Sequence, residues 1–429
     1  MSERRIDSHE RDVIERARKV LPAGGFGNVS FDVIVARGEG GHVWDESGNE
    51  YIDYLLGSGP MLVGHGHPAV TAAVMEQLAR GTTFFVNNAE GVALAEDIVD
   101  GVACAEQVRF VSTGSEATFY AMRAARAYTG RDKVLKFEGG FHGMSDYALM
   151  SMAPARPGNF PQALPDTAGI PANIADDMLI APYNDAETAC QMIDEYKSEL
   201  AAVIVEPIQR MIPPKPGFLA ALRDATTKAD VPLVFDEVVT GFRFAYGGAQ
   251  EYYGVEPDLC ALGKVIGGGY PLAAVAGSAE IMAVFDAAKA KPGHAVKQVG
   301  TLSGNPIAAA AGRATLAVLR EPGAYERIFN TGRALMAGLR AALAKHGIAG
   351  NVLGEPPMFD VVFKSGDISD YRATLGADAA LAQRFNRELL ARGILKGDNK
   401  FYVSLAHTDD DVARTLDAFD AALGAAAAG

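Results

Sequence analysis

The chain has 429 residues, 49% hydrophobic and 21% charged, with a formal net charge of −14. That balance describes a globular chain long enough for two or three domains, and its acidity excludes nucleic acid and anionic membrane surfaces, which need a basic face. Three scattered cysteines, Cys104, Cys190 and Cys260, fit neither a disulfide frame nor a zinc site; with no apolar run of ~18 residues and no signal-peptide core at the polar N-terminus, the cytoplasm is the expected location and no membrane contact is expected.

Asp7 to Leu21 predicts an amphipathic helix, capped by Asp7 with Glu10 three residues on and with Val13, Ala17, Val20 and Leu21 on one face. Residues 33–54 predict strands with a hairpin turn at Glu46–Asn49. A glycine-rich loop follows and enters a helix near Pro68–Arg80. It carries His65 and His67, which lack an acidic or thiol partner nearby in sequence; loop hydrogen bonding suits them better than metal ligation.

A helix near Ala89–Val102 precedes the strand Gln107–Val111, then the turn Ser112-Thr-Gly-Ser-Glu116 and a long helix. Strand, small polar turn and helix make a phosphate site, because free N–H groups and the positive helix end face the anion. Ser112, Thr113 and Ser115 would add hydroxyls. The same residues also suit an ordinary helix cap. The strand Lys133–Phe137 runs into Glu138-Gly-Gly-Phe-His-Gly143. There Phe141 could lie flat on a planar ring, or simply belong to the core. Five prolines between 152 and 175 mark an irregular segment long enough to be functional. A helix near Ala186–Ser198 and the strand Ala201–Val205 follow, then Glu206-Pro-Ile-Gln-Arg210 and a helix at Phe218–Ala229.

Val231 to Tyr270 holds two short apolar runs. The first ends in Asp236-Glu237, the second in Gly263-Lys264, with Gly267, Gly268 and Gly269 behind. Buried strands would deliver Asp236 and Lys264 to the carboxyl rim of an open α/β sheet, where ligands bind. A desolvated lysine is a Schiff-base former, and a strand-end aspartate can hold a protonated pyridine nitrogen. Pyridoxal phosphate uses both groups. An ordinary ion pair at a sheet edge is the other reading. Beyond this stretch lie an apolar run at Ala273–Gly277, helices at Ala279–Ala288 and 307–320, and a change of texture: a helix at Tyr325–Lys345, strands near Met358–Lys364, a helix near Ala379–Arg392, the strand Phe401–Leu405, and a last helix from Thr408 boxed by Asp411, with a frayed Ala/Gly tail. Strand–helix alternation in the middle predicts a mostly parallel sheet covered on both faces.

Taken together, GPMLVGHGHPAV, STGSEAT, KFEGGFHG, FDEVVTGFR, PDLCALGKVIGGG and GTLSGNPIAAAAG make the chain resemble the class III pyridoxal-phosphate aminotransferases of fold type I. The nearest branch includes glutamate-1-semialdehyde 2,1-aminomutase. The match is good over roughly residues 30–320 and looser beyond. It implies an α/β fold: a large domain (60–315) with a seven-stranded, mostly parallel sheet, and a smaller α+β domain formed by 1–59 and 316–429. It implies that Lys264 forms the internal aldimine and Asp236 pairs with the pyridinium nitrogen. Phe141 and Val238 would sandwich the ring, with His142 behind Phe141. Thr113, Gly114 and Ser115 would hold the phosphate, Glu206 would stand behind the site, and no metal would be needed. Gly300-Thr301 would reach the phosphate of a partner subunit, so the resemblance implies a homodimer with active sites at the subunit interface.

Departures from the mutase pattern bear on the reaction. Asn399 stands where the mutases place a gating glutamate, Ser58 where they carry a tryptophan, and EPIQRMIPPKPG is shorter than their run. These favour intermolecular transamination, from an amine or amino acid donor to a keto or aldehyde acceptor, over the mutase's intramolecular transfer. GGFGNVSFDVIVARG lacks the arginine with which related β-amino-acid aminotransferases hold carboxylate. Arg210 is the candidate carboxylate anchor, or else a surface or interface arginine, and Ser58 is a candidate substrate contact.

Overall fold

Seven short, mainly apolar runs form one sheet: β1 (Gln107–Val111), β2 (Lys133–Phe137), β3 (Met178–Ala181), β4 (Leu200–Val205), β5 (Leu233–Glu237), β6 (Leu259–Leu262) and β7 (Ala273–Gly277). The computed structural model describes residues 4–28 and 32–428, so part of the GGFGNVSFDVIVARG segment lies outside the described residues. The strand order is β1-β7-β6-β5-β4-β2-β3. Only β7 runs antiparallel to its neighbours; the other pairings are parallel. Every residue of β3 to β7 is buried, as expected of a sheet covered on both faces. The helix Gly114–Thr129 lies across it on the small residues Ala117, Ala121, Ala124 and Ala125, which allow close approach. This sheet belongs to a unit made of Ala69–Glu321 together with a distant piece, Asp367–Leu375.

The second unit comprises Met1–Pro68, Pro322–Gly366 and Gly376–Gly429. It holds a four-stranded sheet of Val35–Glu39, His42–Asp45, Glu50–Asp53 and Ile394–Leu395, and a three-stranded one of Asn351–Glu355, Met358–Val362 and Phe401–Tyr402. Stacked Phe359 and Phe401 (5.0 Å between centroids) and the edge of Phe419 fill its core. His65 Nε2 lies 2.7 Å from Asp53 Oδ2 within this unit, the loop hydrogen bond expected of it.

Several local expectations are corrected. The first helix, Ser8–Val20, is capped by Asp7 as its spacing demands, but Val20 is 77% exposed. The helix buries Ile14 and Glu10 instead, and the Glu10 carboxylate accepts from Arg4 (2.6 Å), the Ile34 N–H (3.2 Å) and Ser47. A polar anchor therefore docks this helix rather than an apolar seam. The predicted strand Phe401–Leu405 stops at Tyr402 because the Ser404 N–H turns to His407 Nδ1 (3.1 Å). The helix expected over Ala279–Ala288 gives way to a 3-10 turn at Ala283. The strand Asn351–Glu355 was not expected. The last helix runs Asp409–Ala428, and Thr408 and Asp411 box it as predicted.

Candidate active site

β5 and β6 are adjacent and parallel, with Asp236 opposite Ala261 and Glu237 opposite Leu262. Lys264 comes two residues after Leu262, so the aspartate and the lysine leave neighbouring strands at the same carboxyl rim. Lys264 is half-buried and left-handed (φ 48°) at the start of the 3-10 turn Lys264–Gly267. Non-glycine residues held at positive φ cluster at functional sites. The glycines behind it have a mechanical reason. A Cβ on Gly268 would lie 2.5 Å from the Ala311 carbonyl oxygen, and one on Gly312 would lie 2.0 Å from that of Ile266. Backbone meets backbone between this turn and the helix Pro306–Leu319, and nothing larger than hydrogen fits.

Asp236 is buried, with both oxygens engaged: His142 Nδ1 is 2.9 Å from Oδ2, and the Val238 N–H donates to Oδ1 (3.1 Å). The next residue, Glu237, faces the other way. It accepts from Ala249 N (2.6 Å), Gln250 N (3.2 Å), Gln250 Nε2 (3.0 Å) and Thr240 Oγ1 (2.9 Å). Burial pushes its carboxyl pKa up against these donors. Strand alternation thus divides the acidic pair into a site carboxylate and a structural one.

The Val238 side chain closes one side of the rim. A Cβ on Gly114 would lie 2.7 Å from Val238 Cγ1, and one on Gly263 would lie 3.1 Å from it. Thr113 caps the helix Gly114–Thr129 in a reciprocal box with Glu116, whose carboxylate also takes the Ser112 N–H (3.0 Å) and the Thr113 N–H (2.9 Å). The ordinary-cap alternative is realised at Thr113, since its hydroxyl is committed to Glu116. The spacing Thr113-Gly-Ser-Glu116 is that of a capping box. The N–H groups of Gly114 and Ser115 remain the open donors of the first turn. The Ser115 hydroxyl accepts from Met144 N (3.2 Å).

Phe141 and His142 leave the end of β2. The Phe141 N–H donates to Glu206 Oε2 (2.8 Å) at the end of β4. His142 is buried, its carbonyl accepts from Thr118 Oγ1 (2.5 Å), and its Nε2 has no hydrogen-bond partner among the described residues. Arg210, also left-handed (φ 59°), holds its guanidinium 5.0 Å from the Phe141 ring centroid. Thr301 is exposed in the turn after Val299. Arg109 secures that turn's base, donating to Gln298 Oε1 (2.6 Å) and to the Gln298 carbonyl (2.9 Å). Ser58 belongs to the other unit, exposed in a left-handed run at Leu56–Gly59. One chain of contacts therefore links Asp236, His142 and Phe141, with Glu206 and Arg210 both on Phe141, and Val238 lies close to both Gly114 and Gly263. These residues fit a planar, phosphorylated, nitrogen-bearing ring: an anion end at Gly114–Ser115, a carboxylate at Asp236, walls at Phe141 and Val238, and an amine at Lys264.

Residues 26–423 match the class-III aminotransferase family. The chain belongs to this family. It is 40% identical to the glutamate-1-semialdehyde 2,1-aminomutase of Desulforamulus reducens, over 97% of this chain and 98% of that one. Among solved structures it is similar to an omega-transaminase from Sphaerobacter thermophilus (36% identity, TM-score 0.93, covering 98% of each chain) and to a transaminase with PLP bound (31% identity, TM-score 0.90, covering 99% of each chain). The fold is the fold type I architecture of pyridoxal-phosphate transferases, and the chain is a pyridoxal-phosphate enzyme. Among the described residues no helix is long and apolar enough to cross a membrane, and no cluster of His, Cys, Asp and Glu could hold a metal ion.

Sequence reading missed two supports of this site. Arg372 is bonded to Glu138, two residues before Gly140 and three before Phe141. Gln209 Nε2 donates to the Glu138 carbonyl (2.7 Å). Gln209 sat inside a quoted motif, but Arg372 is separated from the site by too much chain for any local pattern to reveal it.

Proposed function

We propose that this chain moves an amino group between carbon atoms of small molecules, with Lys264 as covalent anchor of the cofactor and as the base. The observation that carries this reading is the delivery of Asp236 and Lys264 to one rim by adjacent parallel strands. Bound pyridoxal phosphate supplies an electron-withdrawing ring that stabilises negative charge at the substrate carbon. Asp236, oriented by His142, holds the ring nitrogen's proton. Gly114 and Ser115 N–H groups take the phosphate, with Thr113 shaping the turn. Phe141 and Val238 fix the ring plane, and Glu206 fixes Phe141. Lys264 Nζ would hold the cofactor and, when exchanged for the substrate amine, would be the base that takes up the proton from the substrate carbon. That duty requires a pKa near the working pH.

A homodimer belongs to the same proposal. Phe84, Phe85 and Val86 in one loop and Val299 and Leu302 in another are exposed apolar side chains of the large unit, the kind that a second copy would cover. Thr301, beside Val299 and Leu302, would then reach the partner's phosphate site.

Relatives named as aminomutases support an intramolecular exchange on an amino aldehyde. This reading is better supported by likeness than the intermolecular transamination expected from the sequence departures. The second reading retains specific observations: the likeness to the omega-transaminase, Asn399 at the tip of the tight turn Gly397–Lys400, and a small Ser58. Arg210 is then the proposed anchor of a substrate carboxylate. Single-turnover spectroscopy of the bound cofactor separates the two. Conversion of glutamate 1-semialdehyde with no second substrate establishes the mutase. Stoichiometric keto-acid release from an amino donor, with no such conversion, establishes the transaminase. An Arg210→Ala variant with an unchanged KM for acidic substrates removes the anchor role.

A further inference from the structure

The segment Asp367–Leu375 lies between stretches of the smaller unit in sequence but packs as part of the larger one. Its grip is specific. Asn184, just past β3, donates to the Ser369 carbonyl (2.9 Å) and to the Pro213 carbonyl (2.9 Å). Asp370 caps the short turn Tyr371–Thr374 through the Ala373 N–H (2.7 Å). Tyr371 covers Gly139 so closely that a Cβ there would lie 2.6 Å from Tyr371 Cβ, and its hydroxyl donates to the Pro154 carbonyl (3.0 Å). Arg372 makes a two-pronged bond to buried Glu138 (2.6 and 3.1 Å) and donates to the Gly158 carbonyl (2.7 Å). Its guanidinium also lies 4.1 Å from the Phe160 ring centroid.

Outside the segment itself, its contacts fall on the turn that presents Phe141 and His142, on the proline-rich segment beside it, and on Asn184 just past β3. A fork of this kind fixes direction as well as distance. Glu138 is held from three sides: by Arg372 at its carboxylate, by Gln209 at its carbonyl, and through its N–H, which donates to the Ala181 carbonyl (2.9 Å). Next in line, the Gly139 N–H donates to the Ser151 carbonyl (2.9 Å).

We infer that Asp367–Leu375 is a clasp and that Arg372 is a positioning residue, which through Glu138 holds the Phe141–His142 turn in the geometry that seats the cofactor ring; this rests on the pyridoxal-phosphate reading for its consequence, though not for its geometry. Arg372 touches no reacting atom. Its loss acts on how tightly and in what orientation the ring is held.

Two measurements test it, on the full chain with Arg372→Ala and Arg372→Lys. Amide hydrogen exchange without cofactor should show residues 138–143 exchanging roughly 10-fold faster in Arg372→Ala, with Arg372→Lys intermediate because it keeps the charge and loses the fork. With pyridoxal phosphate added, its dissociation constant should rise about 10-fold, and the pH midpoint of its visible absorbance should move. Unchanged exchange at 138–143 in Arg372→Ala, or in Arg372→Lys should the alanine variant not fold, overturns the clasp whether or not the cofactor binds. Altered exchange with an unchanged dissociation constant and absorbance midpoint overturns the positioning role and leaves a merely structural bond. Wild-type protein that binds no cofactor defeats the enzymatic reading instead, and the exchange data still decide the clasp.

Discussion

His142 Nδ1 stands 2.9 Å from Asp236 Oδ2, with both side chains buried. The other oxygen of Asp236 accepts the Val238 N–H (3.1 Å), so the carboxylate is locked from both sides before any ligand arrives. Preorganised charge of this kind costs no reorientation during reaction. Asp236→Ala should slow the first half-reaction ~10³-fold, whereas His142→Asn, which spares the carboxylate, should cost only ~10- to 100-fold. Stopped-flow absorbance with a saturating donor separates the two.

The smaller unit carries opposed histidines that shape its pH stability. His407 is buried and neutral: Ser404 N donates to its Nδ1 (3.1 Å), leaving Nε2 to donate to the Asp53 carbonyl (3.1 Å). Desolvation lowers its pKa to about 4. Between that value and the ordinary 6.5, the unfolded chain takes up a proton that the folded one refuses. Stability is therefore present above 6.5 and lost as pH falls toward 4. His42 has the opposite sign. The Asp411 hydrogen bond raises its pKa, so its contribution is full below 6.5 and disappears as pH rises through the folded value. Urea titrations should show His407→Gln flattening the acid limb and His42→Gln flattening the limb above 6.5.

Lys136 is fully buried on β2, donating to the carbonyls of Ala148 (2.8 Å) and Met150 (2.6 Å). Desolvation pulls its pKa down from 10.5 to about 7. Between these values the unfolded chain holds the extra proton, so this group makes stability rise with pH from about 7 to 10.5. Lys136→Met should remove that slope. It should also orphan two carbonyls, costing on the order of 1–3 kcal/mol each, most visibly at alkaline pH in chemical denaturation.

The turn after Lys264 depends on absent side chains. Gly312→Ala forces a methyl against the Ile266 carbonyl, where a Cβ would stand at 2.0 Å. Overpacking against backbone should cost about 1–3 kcal/mol and loosen Lys264. Thermal unfolding reads the first effect, and the rate of reaction with a donor reads the second.

Much of this site was legible in short patterns. The run Leu259–Leu262 appears as a strand with the boundaries its composition demands, because a strand buried on both faces reads as a continuous apolar run. Asp236 and Lys264 were legible because a charge ending such a run has one place to go. Thr113 was legible as a turn residue, while its commitment to Glu116 needed the geometry. What stayed hidden was long-range and polar. Nothing local announces that Glu10 rather than Val20 docks the first helix, that Arg210 rests over Phe141, or that Arg372 returns to Glu138. Polar partners separated by long loops leave no period to read.

The central claim is that the amine of Lys264 carries the cofactor. Borohydride reduction of the cofactor-loaded protein, followed by peptide mass mapping, tests it most directly. The pyridoxyl mass should appear on the peptide containing Lys264 and vanish in Lys264→Ala. A label on another lysine, such as Lys136, or no label on fully loaded protein, would contradict it.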